Sequence, residues 1–128
     1  MPSFRFVEDH SDADVPVVWA NQSRGWWVAF AAYDLTADSK IFRVNRILVA
    51  ARYPDGSEAT FDDLYMTMLH EMGHALGLLG HSPEPEDVMY EKGHWLSDGL
   101  TERDRSTLHM LYSRSIGSRI AGAKSKDW

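Results

Sequence analysis

The residues best suited to chemistry form one short stretch, His70-Glu71-Met72-Gly73-His74. On a helix, side chains four residues apart share one face, so both imidazoles can reach a single ion. Zinc in a catalytic site takes three protein ligands at about 2.0–2.2 Å and keeps one position open for water. The ion lowers the pKa of that water, and a carboxylate within hydrogen-bond reach can accept its proton. The pattern therefore predicts hydrolysis, most naturally of a peptide bond, assisted by Glu71.

The residues after this stretch strengthen the metal-site interpretation against a chance match on an ordinary helix. Gly77 lies three residues after His74 and lets the chain leave the helix sharply, because glycine adopts backbone angles that other residues resist. His81 then offers a third imidazole that can return to the ion, and Val88-Met89-Tyr90 follows it. Cysteine is absent, so any metal site must use His, Asp or Glu.

The paired histidines require a helix, and the sequence marks where it begins and ends. Thr60 and Asp63 form a capping-box pattern at its start. Apolar side chains then recur every four residues and share one face. They are Leu64, Met68, Met72 and Leu76. Gly77 and Gly80 suit the end of a helix, and residues 82–87, with two prolines, favour a loop.

The rest of the chain predicts a small sheet and a closing helix. Runs rich in aromatic and apolar residues predict strands at 15–19, 26–33 and 47–53. Pro16 places the first strand at a sheet edge or marks its beginning. A second helix is expected from 101 to about 113, with Thr101 as its cap and Asp104 in its first turn.

Length and charge limit the remaining possibilities. The chain has 128 residues, 44% of them hydrophobic, so we expect one domain over 1–112 and a polar, basic tail or linker over 113–128. A net charge of −6 without a basic cluster argues against a nucleic-acid partner. No apolar run approaches the roughly 20 residues of a membrane helix, and residues 1–6 lack the apolar core of a signal peptide.

Residues 70–90 resemble the metzincin metallopeptidases, and specifically the matrixin branch that includes the matrix metalloproteinases. The resemblance lies in the pattern H-E-x-x-H-x-x-G-x-x-H and in the methionine turn that follows it. It implies that His70, His74 and His81 bind one catalytic zinc ion and that Glu71 is the general base.

Outside the metal motif the resemblance is looser and extends over roughly residues 4–112. It implies that Met89 lies beneath the metal, that Gly77 supports the site and that Asp104 hydrogen-bonds the methionine turn. Residues 47–52 resemble the family's edge strand, which pairs with the substrate. The substrate-binding residues expected by position are Ile47, Leu48, Val49, Ala50, Tyr90, His94 and Trp95.

The chain departs from the family pattern in three respects. The third histidine follows His70 by eleven residues instead of ten, which lengthens a loop without rotating a ligand off its face. The family's first strand and first long helix have no counterpart, so apolar residues such as Trp26, Val28 and Phe30 are expected to be exposed. The loop that carries structural zinc and calcium is also missing, and without cysteine there is no thiol latency switch. We therefore expect one metal ion.

These features together predict an α+β, zincin-like fold with a twisted mixed sheet, an active-site helix and a C-terminal helix, shortened at the N-terminus. The resemblance implies a zinc-dependent endopeptidase that cleaves internal bonds of a protein substrate and is exported. The sequence does not indicate an oligomeric state, and a monomer is the default expectation. Two alternatives stay open. One is a zincin whose third ligand is Glu91 or Glu102, and the other is a non-catalytic zinc-binding remnant of a metzincin.

Overall fold

The computed structural model of the chain describes residues 3–23, 25, 28–35 and 42–114. The predicted exposure of Trp26 and most of the predicted tail lie outside these residues. The described elements are, in chain order, a short 3-10 turn (His10–Asp12), strands β1 (Val17–Ala20), β2 (Ala29–Leu35) and β3 (Phe42–Ala50), and helices α1 (Phe61–Ala75) and α2 (Glu102–Tyr112). The α+β class is confirmed. Each predicted strand region overlaps a strand, although β3 begins at Phe42 and ends at Ala50, whereas the sequence predicts residues 47–53.

The three described strands form one mixed sheet in the order β1-β3-β2. β1 runs parallel to β3, with Val17 opposite Ile47, and β2 runs antiparallel to β3, with Ala29 opposite Val49. The prediction that residues 47–52 form an edge strand is therefore wrong. Both sides of β3 are hydrogen-bonded along residues 47–49, and Ile47 and Val49 are almost fully buried. The continuous apolar run over residues 47–50 is typical of a central strand.

β1 lies at one edge of the described sheet, as Pro16 predicted. The carbonyl of Pro16 accepts the N–H of Ile47 at 2.9 Å, while its own nitrogen has no hydrogen to donate. All four residues of β1 are exposed. The prediction that Val28 is exposed is wrong, since only 4% of it is accessible and its carbonyl bonds the end of β3, whereas Phe30 is 43% exposed as expected. Much of the uncovered apolar surface therefore lies on β1.

Helix α1 begins with the predicted capping box. The hydroxyl of Thr60 accepts the N–H of Asp63, and the Asp63 carboxylate accepts the N–H of Thr60, both at 3.1 Å. One face of α1 packs on β2 and β3, and the core there consists of Ala29, Ala31, Val44, Ile47 and Val49 with Leu64, Met68, Met72 and Ala75 from the helix. A second apolar cluster, formed by Met66, Val88 and Met89, lies on another side of the helix.

Helix α2 also begins with a capping box, formed by Thr101 and Asp104. Its last residue, Tyr112, donates its hydroxyl to the carbonyl of Leu76, the C-cap of α1, at 2.9 Å. The start of α2 is thus closed by its capping box, and its last residue is hydrogen-bonded to the C-cap of α1, the helix that bears His70 and His74. Neither helix of the described part has the length and apolar content needed to cross a bilayer.

The two capping boxes differ in one bond, and this difference predicts unequal costs of mutation. Thr101 also donates its hydroxyl to Asp104 at 2.7 Å. Thr60→Ala should lower the free energy of unfolding by about 1 kcal/mol, and Thr101→Ala by about 2 kcal/mol, because the second also deprives a buried carboxylate of a donor. Urea denaturation of the metal-free chain measures both. Thr60→Ser and Thr101→Ser are the controls, and equal costs for the two alanine variants would contradict this account.

Candidate metal centre and active site

Three histidine side chains converge beside α1. His70 and His74 lie one turn apart on the helix, and His81 returns from the loop that follows it. One nitrogen from each ring falls within 4.8 Å of the other two. Glu91 and Glu102, the alternative third ligands, are exposed and do not belong to this group in the described part of the chain. The donor set is thus three imidazoles, a set that zinc accepts in catalytic sites.

The rings of His70 and His74 are oriented by backbone carbonyls. Nδ1 of His70 lies 2.8 Å from the carbonyl of Val88, and Nδ1 of His74 lies 2.7 Å from that of Leu78. A carbonyl can only accept, so each Nδ1 bears the proton and each Nε2 keeps a lone pair for a metal. Burial lowers the pKa of His70 to about 4 and also lowers the pKa of His74. Both rings are therefore neutral near pH 7, the form that binds a metal ion.

The end of α1 explains why the carbonyl of Leu78 reaches His74. Gly77 has a φ of +98°, its N–H bonds the carbonyl of His74 at 2.9 Å, and the N–H of Leu78 bonds that of Gly73 at 3.0 Å. This pair of bonds is the Schellman motif, which needs a left-handed residue that glycine supplies without a steric penalty. The predicted role of Gly77 is confirmed in this respect, whereas Gly80 has no positive φ.

The carboxylate of Glu71 reaches β2. Its Oε2 accepts the backbone N–H of Ala31 at 2.8 Å. Burial raises the pKa of Glu71 to about 7, and the bond from Ala31 opposes this shift. Because the N–H of Ala31 is bonded to Glu71, it faces away from β3, along the outer edge of β2. Sequence reasoning missed Ala31, because a backbone donor leaves no mark in the residue type.

The backbone of Val88 connects His70 to α2. Its carbonyl accepts from His70 and also from Nε1 of Trp95 at 2.9 Å, and its N–H donates to the carboxylate of Asp104 at 3.1 and 3.2 Å. The predicted bond from the methionine turn to Asp104 is therefore present. Val88 itself was not predicted as a site residue, since its backbone acts there and its side chain only fills the core.

Met89 packs against the helix between the two histidines. A Cβ atom added at Gly73 would overlap Sδ of Met89, and Met89 is itself buried. Met89 thus packs against α1 at Gly73, the residue next to His74, and its place beneath a metal ion stays a prediction. Gly73 was missed, although a residue without a side chain inside an otherwise apolar helix is a signal of close approach.

The predicted substrate-binding residues divide into two groups. Ile47, Leu48, Val49 and Ala50 belong to the central strand, so their backbone already pairs within the sheet and cannot receive a further strand. Trp95 lies beside the histidine cluster, with its ring centroid 5.9 Å from that of His70. Tyr90 is half-buried and pairs with Ser82 in an isolated parallel bridge, and His94 is exposed. Of these residues, Trp95 is the one in ring contact with the histidine cluster.

The contact between Gly73 and Met89 predicts the effect of a methyl group. Gly73→Ala should lower the free energy of unfolding by about 1–3 kcal/mol through overpacking, although alanine favours a helix by about 1 kcal/mol. Chemical denaturation measures the change. Gly80→Ala is the matched control, because its added Cβ meets nothing within 4 Å. A Gly73→Ala chain as stable as the unaltered one would contradict the close packing of Met89.

A comparison with known families agrees with this geometry. The family model described as Matrixin, of peptidase family M10, matches residues 2–113 and thus spans the described sheet, both helices and the methionine turn. No solved structure matches the chain. Matrixins are metallopeptidases that use zinc, and the three gathered histidines are able to hold such an ion. The chain belongs to the matrixin family.

Proposed function

We propose that this protein is a zinc-dependent metalloendopeptidase. The observation that carries the proposal is the arrangement around α1, where two neutral imidazoles are oriented by carbonyls, a third returns beside them, and a buried carboxylate lies next to the first ligand in sequence. His70, His74 and His81 would hold the ion. When bound, zinc supplies a polarised substrate carbonyl and a water of lowered pKa.

In this proposal Glu71 is the general base. Its carboxylate lies on the same helix as the first two ligands and is held at one oxygen by the N–H of Ala31, so the other oxygen is left to accept a proton from the attacking water. Glu71 would then pass that proton to the nitrogen of the departing amine, which completes hydrolysis of the peptide bond. Burial excludes competing water from the carboxylate.

The substrate proposed is an extended segment of a protein. Within the described sheet, β2 pairs only with β3, so its other side is an edge, and the outward N–H of Ala31 lies on that edge beside Glu71. An extended peptide can add to such an edge by backbone hydrogen bonds. Binding along a strand does not require a chain end, which favours internal cleavage. Trp95, beside His70, would contact the bound segment.

Glu71→Gln tests the proposed base. The amide oxygen can still accept from Ala31 but cannot take a proton from water, so cleavage should fall by about 10²–10⁴-fold while zinc content is unchanged. Cleavage of an unfolded protein, followed by gel and by mass spectrometry of the products, measures the loss. An exposed carboxylate treated in the same way, Glu58→Gln, is the control. Undiminished cleavage by Glu71→Gln would exclude Glu71 as the base.

His81→Ala tests the third ligand. Removing one of three imidazoles should abolish stoichiometric zinc binding at micromolar protein, whereas Glu91→Ala and Glu102→Ala should retain it. Metal analysis after gel filtration measures the zinc content. If zinc were lost from Glu91→Ala or Glu102→Ala and kept by His81→Ala, the third ligand would be a carboxylate. Full zinc occupancy in the unaltered chain with no cleavage of any extended substrate would favour the non-catalytic alternative.

A further inference from the structure

The third histidine lacks the restraint that the other two have. The rings of His70 and His74 are each bonded to a backbone carbonyl, whereas His81 is exposed and its ring has no hydrogen bond within the described residues. It also lies on a loop beyond the last helical residue, Ala75. The direction of its imidazole therefore depends on how firmly the adjoining backbone is held.

That backbone is held at Ser82, the next residue. Its N–H donates to the carbonyl of Met89 at 2.7 Å, and its carbonyl accepts the N–H of Glu91 at 3.2 Å. Its hydroxyl donates to Oδ2 of Asp87 at 2.6 Å. The first two bonds are part of the backbone pairing across the loop, but the third is made by side chains and ties the loop to a charged group.

Asp87 is in turn fixed from α2. The Asp87 side chain is 10% exposed. Its carboxylate accepts hydrogen bonds from Nε of Arg103 at 2.9 Å and from Nη2 of the same residue at 2.8 Å. Two parallel charge-assisted bonds define the plane of the carboxylate as well as its position. The hydrogen bonds from Arg103 lower the pKa of Asp87, so it stays ionised near neutral pH. The series of contacts therefore runs from α2 through Arg103, Asp87 and Ser82 to the residue beside His81.

We infer that Asp87, held by Arg103, is a positioning residue for His81 and thereby sets the affinity of the centre for its metal ion. The inference rests on the proposed function, because it concerns the ion that His81 would bind. A ligand on a loop must be immobilised when it coordinates, and a loop that is already fixed loses less conformational freedom at that step. Groups that orient metal ligands typically change metal affinity by about 10–100-fold when they are removed.

Asp87→Asn and Ser82→Ala test the inference in the full chain. Asparagine is uncharged and has one acceptor oxygen, so it cannot keep both bonds from Arg103 together with the one from Ser82, and alanine removes the hydroxyl. Each should raise the zinc Kd, measured by competition with a chromophoric chelator, by about 10–100-fold, and Ser82→Thr should restore it. The visible spectrum of the Co²⁺-substituted chain should lose intensity from tetrahedral coordination in the same variants. Arg52→Gln is the matched control, because it breaks the exposed ion pair with Glu58 away from the histidines.

A merely structural role for Asp87 predicts a different result. The metal-free variants would then unfold at lower denaturant, but zinc Kd values measured well below the unfolding transition would stay within about twofold of the unaltered chain, which would overturn the inference. If Asp87→Asn does not fold, Ser82→Ala decides the question alone. The Kd is read without substrate, so a lack of cleavage would count against the proposed function and not against this inference. An unaltered chain that bound no zinc would overturn both.

Discussion

The backbone of Val88, hydrogen-bonded at both its N–H and its carbonyl, is the constraint on which the candidate centre depends. Its carbonyl accepts two donors, from His70 and Trp95, and its N–H is bonded by Asp104. The N–H and the carbonyl of one residue belong to the two successive planar peptide groups that meet at its Cα, so hydrogen bonds to both groups restrain the φ and ψ angles of Val88. Because Asp104 simultaneously closes the capping box of α2, the start of that helix helps to hold the backbone that orients the His70 ring on α1. Losing either connection would leave buried polar groups unpaired, which costs about 1–3 kcal/mol each.

The three histidines are restrained over very different distances along the chain. His74 is held by the carbonyl of Leu78, four residues away, which the helix-ending motif at Gly77 brings into place. His70 is held from 18 residues away, by the carbonyl of Val88. His81 has neither kind of bond within the described residues, and its loop is tied to α2. His74 is thus restrained by a local helix-ending motif, His70 by a tertiary contact and His81 by the anchoring of its loop. Residues of α2 contribute to the restraint of His70, through Asp104, and of His81, through Arg103.

The local features of this fold could be predicted from the sequence, while the pairing of its strands could not. Capping boxes at Thr60 and Thr101 involve residues three apart, so their signals lie within one turn and both helices begin where predicted. The neighbours of β3 are set by pairing with residues 7 to 20 positions earlier in β2 and 30 positions earlier in β1, and the apolar run of β3 is compatible with either an edge or the centre. The same limit applies to the burial of Val28. Backbone donors such as that of Ala31 are invisible in residue types.

The bond between Glu71 and Ala31 links the proposed base to the strand proposed to bind substrate. A β-bulge follows one residue later, between Ala32 and Tyr33, where Asn45 is the unpaired residue of β3. Bulges bend a strand and interrupt its ladder locally, so the regularly paired stretch beside Glu71 runs over residues 29–32, and pairing resumes at Tyr33. In the proposed reaction, the substrate peptide pairs with the backbone of β2 around Ala31, and the N–H of Ala31 also orients the carboxylate of Glu71. The sheet edge would then set the register of the scissile bond and the direction of the base together.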